Sequence, residues 1–316
     1  MQIDLTHIAR ELPIKLFTLP PRSINYPYIL VHTDNYRELY TRKFDLAIID
    51  IQVHRFRNYP DYPSDFIKRY INLTLKLANL FKDKLIVVVP DLPYDPDYFI
   101  GSRHESNIKK TLRYAILFKN IQHMYTKHGT KLMYVLQHRQ SIKSLIYCAE
   151  LLRDIVRDEP EYLGVGSLCV VKSPKYVAQY IAKARKLFPK SWIHGFGIHL
   201  STLKYISQVC EIQSFDSQSW ERKRALVNRG LSNWKPWREL QSFDSDSWTR
   251  PVNQLVLKVI KATKRFSCKT ERQRVIYFMC YLARLCELCR RHDLAHEIYK
   301  QLGIEHEYGT ILTYMR

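Results

Sequence analysis

Four side chains stand just after short apolar runs: Asp50 after Ile48-Ile49, Asp91 after Val89-Pro90, Gln137 after Val135-Leu136, and Asp216 after Phe215. Carboxylates so placed can move a proton or attack an electrophilic carbon. The amide of Gln137 offers a donor and an acceptor to a flat polar edge. Two small-residue turns accompany them, Gly166-Ser167 and Gly195-Phe196-Gly197. The chain has only nine glycines, and four of them, at 164, 166, 195 and 197, fall in these turns. Glycine this scarce is expected where backbone must approach something closely. Taken singly, an aspartate after a strand is more often a helix cap or turn residue than a catalyst. The case for chemistry rests on all of them sharing one end of one fold.

The elements that must position them alternate. Apolar runs of strand length are expected near 15–19, at 28–32, 46–50, 85–89, 132–136 and 162–165, then at the start and end of the stretch from Trp192 to Asp216. Amphipathic helices are expected between them, at about 64–81, 104–127, 141–157 and 174–187. Continuous runs such as Leu85–Val89 suit strands buried on both faces of a parallel sheet. Seven or eight such repeats in this length predict an α/β fold, a (β/α)8 TIM-like barrel. No glycine-rich phosphate loop follows the first strand, which disfavours a dinucleotide-binding sheet. In a barrel of this kind chemistry sits at the C-terminal ends of the strands, where the four side chains and both turns would converge. After Pro251 the pattern becomes all helical and basic. The expected division is a barrel over 1–248 and a helical extension over 249–316. One internal echo stands out: Gln213–Trp220 recurs as Gln241–Trp248 with one change, so Asp244 competes with Asp216.

Composition narrows the classes. The chain of 316 residues carries 50 Lys+Arg against 30 Asp+Glu, a net charge of +20, which favours a polyanionic partner. The seven cysteines are odd in number and scattered, so a disulfide framework is not expected. Apolar runs are far shorter than the ~20 residues of a membrane span, and the first residues lack the apolar core of a signal peptide. The expectation is a cytoplasmic protein without membrane association.

The order of these motifs resembles the tRNA-guanine transglycosylase superfamily, and within it the DpdA-like transglycosylases that act on DNA. That family carries a Gly-Gly-Leu-type turn, a Gly-x-Gly turn and a Phe-Asp on its later barrel strands. Here they stand as Gly166-Ser167-Leu168, Gly195-Phe196-Gly197 and Phe215-Asp216. The family's early acid would correspond to Asp50, its base-recognising aspartate to Asp91 and its glutamine to Gln137. The match spans roughly residues 28–225.

The resemblance implies exchange of guanine in DNA or tRNA for a 7-deazaguanine base. Asp216 would be the nucleophile that forms a covalent glycosyl-enzyme, and Asp50 the proton shuttle. Asp91, Gln137, Gly166, Ser167, Gly195 and Gly197 would bind the base. No cofactor and no metal are implied. The chain departs from the pattern after Asp50, where Ile51-Gln52-Val53-His54 replaces the usual Ser-Gly-Gly. It also lacks the Cys-x-Cys-x2-Cys…His zinc spacing of the tRNA-acting members. Its own Cys280, Cys286, Cys289 and His292 fall in a helical pattern and read as core packing. Two alternatives stay open: a catalytically inactive barrel that binds nucleic acid, and a metal-dependent hydrolase using His54, His194 or His199 with Asp50 or Asp91.

Overall fold

A computed structural model describes residues 2–51, 53–56, 59–94, 106–139, 141–209, 211–217 and 269–302. They fall into two compact units.

The larger unit, formed by residues 14–19 and 25–217, is a (β/α)8 barrel. Its strands are β1 (Lys15–Phe17), β2 (Tyr28–His32), β3 (Leu46–Asp50), β4 (Leu85–Val88), β5 (Lys131–Leu136), β6 (Tyr162–Val165), β7 (Trp192–Gly195) and β8 (Ser214–Asp216). Each pairs in parallel with its sequence neighbour from β2 through β8, and β8 returns to pair with β1. The seam between β1 and β2 is joined by one parallel bridge, Thr18 to Ile29. Leu30 donates its amide to the Thr18 carbonyl there at 3.2 Å. Every strand end therefore points the same way.

The apolar runs form these strands because both of their faces are covered. Leu85, Ile86, Val87 and Val88 are all completely buried. The connecting helices include Ser64–Phe81, Ser106–Asn120, Ile142–Val156, Pro174–Leu187 and Leu200–Val209. The helix at 142–156 begins where Ser141 accepts the Lys143 amide and ends at Arg157, in the left-handed region with φ 63°. The single long helix expected over 104–127 is instead two, Ser106–Asn120 and Gln122–Thr126, separated at Ile121, whose ψ is 7°. Near-zero ψ takes Ile121 out of helical geometry.

One helix side chain reaches the strand ends next to the candidate residues. Tyr70 is buried on the 64–81 helix, and its hydroxyl lies 2.7 Å from the Val88 carbonyl and 3.3 Å from that of Ile49. It thereby ties the last turn-outs of β3 and β4, just before Asp50 and Asp91.

The smaller unit gathers residues 2–13 and 20–24 with the C-terminal helices Lys269–Leu288 and His292–Gln301. Its core includes Leu5, Ile8, Leu12, Phe278, Leu282, Leu285 and Ile298. Arg291 joins the two ends of the sequence, donating to the Glu11 carboxylate at 2.6 Å and its carbonyl at 2.9 Å. Cys286 is fully buried in this core. Burial pushes the thiols of Cys280 and Cys289 up to about 12 and about 11. No described helix is long and apolar enough to cross a membrane.

Candidate active site

The mouth formed by the C-terminal strand ends brings together Asp50, Asp91, Gln137 and Asp216. Asp50 closes β3 in register with His32 of β2. Its Oδ1 accepts the Ile51 amide at 2.6 Å, and its Oδ2 lies 3.9 Å from His32 Nδ1. Burial raises the Asp50 pKa well above the carboxylate range, and the charges of Asp91 and Asp216 raise it further. Loss of water disfavours the charged form, and two like neighbours add to that.

Asp91 stands on a segment without regular structure that is tied at every residue. Tyr62 donates its hydroxyl to the Asp91 carbonyl at 2.7 Å. The Leu92 amide donates to Thr111 Oγ1 at 3.0 Å, Asn107 donates to the Pro93 carbonyl at 3.0 Å, and the Tyr94 amide donates to Ser167 Oγ at 2.8 Å. Tyr62 is held in turn by Asp61, which accepts from the Tyr62 amide, Tyr114 and Arg113. Burial raises the Asp91 carboxyl to about 7, against the opposing hydrogen bond from Gln137.

Gln137 is buried, with both ends of its amide engaged. Its Nε2 donates to Asp91 Oδ2, and its Oε1 accepts from Ser167 Oγ at 2.6 Å. Ser167 sits at φ 56°, a region that costs a residue with a Cβ about 1 kcal/mol. It is the junction of the site, donating to Gln137 while accepting from Tyr94. Next to Gln137, His138 is buried and stacked on Tyr180 with ring centroids 4.1 Å apart. Burial pushes His138 down to about 4, so it is neutral near pH 7.

At the glycines, the close approach visible within the protein is that of its own side chains. A Cβ on Gly166 would lie 2.3 Å from Gln137 Nε2, and one on Gly195 would lie 2.1 Å from Ile198 Cδ1. Their missing side chains make room for the protein's own atoms. The Gly166 amide donates to the Leu136 carbonyl. Gly197 has φ +68°, and its amide donates to Asp216 Oδ1 at 2.8 Å. These two amides are engaged within the protein.

Asp216 ends β8. Its Oδ1 also lies 3.4 Å from Nε2 of His194, which is completely buried on β7. His194 Nδ1 is 2.9 Å from Ser214 Oγ, and Ser214 Oγ accepts from Trp192 Nε1 at 2.6 Å. The alternation of strand side chains explains the grouping. Trp192 and His194 share one face of β7, Ser214 and Asp216 share one face of β8, and Ser214 is in register with His194. Sequence reasoning considered His194 only as a metal ligand and passed over Ser214 and Trp192. The signal available was the two-residue spacing in Trp-Ile-His and Ser-Phe-Asp.

Among the described residues no cluster of three His, Cys, Asp or Glu side chains has the arrangement of a metal site. Asp244 and most of the echo, together with Gln52 and the residues linking barrel and C-terminal helices, lie outside the described residues. The chain matches no protein-family model, and a search among characterised proteins finds no significant similarity.

Proposed function

We propose that the barrel exchanges a base in a nucleic acid by way of a glycosyl-enzyme on Asp216. The observation that carries this reading is the division of labour among three carboxylates at one mouth. Burial and like-charged neighbours push the Asp50 pKa upward and favour its protonated form, whereas Asp216 is fixed by the Gly197 amide. Titratable groups placed in such unlike environments mark the acid and the nucleophile of a two-carboxylate site. The resemblance to guanine transglycosylases supplies the substrate class, and the net charge of +20 suits a phosphate polymer.

The steps balance on these residues. An oxygen of Asp216 bonds to C1′ of the target nucleotide as the C1′–N9 bond breaks. The electron pair leaves with guanine, and Asp50 gives the base its proton. A 7-deazaguanine base then bonds to C1′ through N9, returns a proton to Asp50 and expels the Asp216 carboxylate. Asp91 accepts N–H donors from the base edge, and Gln137 keeps one N–H beyond those engaged. The target nucleotide must leave its stack to reach a barrel mouth.

The test is release of labelled guanine. Protein is mixed with guanine-labelled DNA or tRNA, with and without a 7-deazaguanine base. Label released only when the base is added supports exchange, and the polymer that releases it is the substrate. A second reading, a barrel that binds nucleic acid without reacting, is favoured by Ile51. This buried side chain stands where the related family has small residues. Salt-sensitive binding of both polymers with no release would establish that reading instead.

A further inference from the structure

The geometry points to a Trp192–Ser214–His194 relay that presents an Nε2 proton to Asp216 Oδ1 and leaves Oδ2 as the attacking oxygen. This rests on the base-exchange reading for its chemistry, but its first step follows from donor and acceptor accounting alone.

The accounting starts at Trp192, whose indole nitrogen only donates. It donates to Ser214 Oγ at 2.6 Å. Ser214 is completely buried, and its one other side-chain partner among the described residues is His194 Nδ1 at 2.9 Å. If Nδ1 carried a proton, Ser214 Oγ would accept twice and its own buried hydrogen would have no acceptor. Leaving a buried donor unmade costs about 1–3 kcal/mol. With Ser214 donating to Nδ1, the imidazole proton sits on Nε2 and points toward a carboxylate oxygen; the other tautomer leaves the Ser214 hydrogen unpaired and turns an Nε2 lone pair toward that oxygen. Nε2 faces Asp216 Oδ1 at 3.4 Å, too far for a hydrogen bond, and makes none to any described residue. The ring is held edge-on between Phe17, at 5.7 Å, and Phe196, at 4.7 Å between centroids. Phe196 itself fits because residue 164 is glycine, where a Cβ would meet the Phe196 ring at 2.4 Å.

The consequence is an asymmetric carboxylate. Oδ1 receives the Gly197 amide at 2.8 Å and faces the His194 N–H. No described residue donates to Oδ2. In the glycosyl-enzyme, Oδ2 is the ester oxygen and Oδ1 the carbonyl oxygen. As the incoming base breaks the ester, charge returns to Oδ1, where the two N–H groups are already placed to receive it. A 3.4 Å contact that shortens as this charge develops stabilises the transition state of ester cleavage more than the uncharged ester of the glycosyl-enzyme. His194 touches neither base nor sugar in this scheme; it is a positioning residue.

The experiment combines nitrogen NMR with kinetics on the full chain. The protein is labelled with 15N-histidine, and the His194 signals are identified by their loss in His194→Gln. The expected result is a proton on Nε2 and none on Nδ1, and Ser214→Ala should lose this fixed preference. A proton on Nδ1 in the unsubstituted protein overturns the relay, whether or not the protein is an enzyme. On the kinetic side, His194→Gln keeps a side-chain N–H near Nε2 and should hold single-turnover exchange within about tenfold. His194→Phe should lose about 10²-fold in kcat, with KM within about twofold. Equal losses in both variants, at matched thermal stability, would make His194 a packing residue and overturn its positioning role. Absence of exchange in the unsubstituted protein would instead overturn the base-exchange reading, with the NMR result still deciding the tautomer.

Discussion

Ser167 donates its hydroxyl to Gln137 Oε1 at 2.6 Å, and that bond decides which end of the Gln137 amide faces Asp91. With Oε1 committed to Ser167, Nε2 is left to donate to the carboxylate. Two polar residues from successive strand ends thus fix the donor that Asp91 sees. Ser167 achieves this from a left-handed backbone, and the Tyr94 amide holds its oxygen from the other side.

Replacing Ser167 by alanine frees both the Gln137 amide and the Tyr94 N–H. The expected cost is about 1–3 kcal/mol of stability for the buried groups left unmade, read as a lower denaturant midpoint. The KM for the incoming base should rise more than kcat falls. A Ser167→Ala protein with unchanged midpoint and unchanged KM would show that Gln137 is oriented by something else.

Gly166→Ala puts a methyl group 2.3 Å from Gln137 Nε2. The amide must move off Asp91, and overpacking of this kind costs about 1–3 kcal/mol. The two substitutions disturb the same bond, so their combined effect should fall short of the sum. Full additivity in a double-mutant cycle would mean that they act on separate structures.

Asp91 makes stability depend on pH in a direction opposite to that of a salt-bridged aspartate. Its carboxyl titrates at about 7 when folded, against an ordinary 3.8. Between those values the folded state holds more protons than the unfolded one. The group's contribution is therefore fully present below about pH 4 and is lost as pH rises to 7. A shift of this size corresponds to a few kcal/mol at most. Asp91→Asn should flatten the slope of unfolding free energy across that window, and a slope left unchanged would show that Asp91 is not its source.

The parts legible in the sequence are those that follow from local pattern. Leu85–Val88 reads as a buried parallel strand because every residue in it is apolar, and Asp50 reads as a rim residue because it ends such a run. Asp91, Gln137 and Asp216 follow from the same rule. What could not be read depends on register and on packing between distant segments. The His194–Ser214 contact exists because β7 and β8 pair with those residues opposite each other, and nothing in either strand alone specifies the offset. The glycines were legible as close approaches but not as to what approaches; the answer at Gly166 is Gln137, 29 residues earlier in the chain. The link from Arg291 to Glu11 crosses 280 positions of sequence, which no local pattern encodes.

In the proposed exchange, Asp50 would supply the pH dependence of the reaction itself. Its raised pKa favours the protonated form that would act as the acid toward the leaving base. Rate should fall as pH climbs through that pKa, because only the protonated form can act. Asp50→Asn cannot donate a proton of that kind, so its residual rate should be low and free of this alkaline fall. An alkaline limb retained at the same position in Asp50→Asn would assign the limb to another group.

The central claim is the covalent bond to Asp216, and covalent trapping on a denaturing gel tests it most directly. Labelled DNA or tRNA is mixed with the protein and with Asp216→Asn and Asp244→Asn, and the reaction is stopped in denaturant. The account expects a protein–polymer adduct in the unsubstituted protein and in Asp244→Asn, with none in Asp216→Asn. An adduct that persists in Asp216→Asn, or one that disappears only in Asp244→Asn, would contradict it.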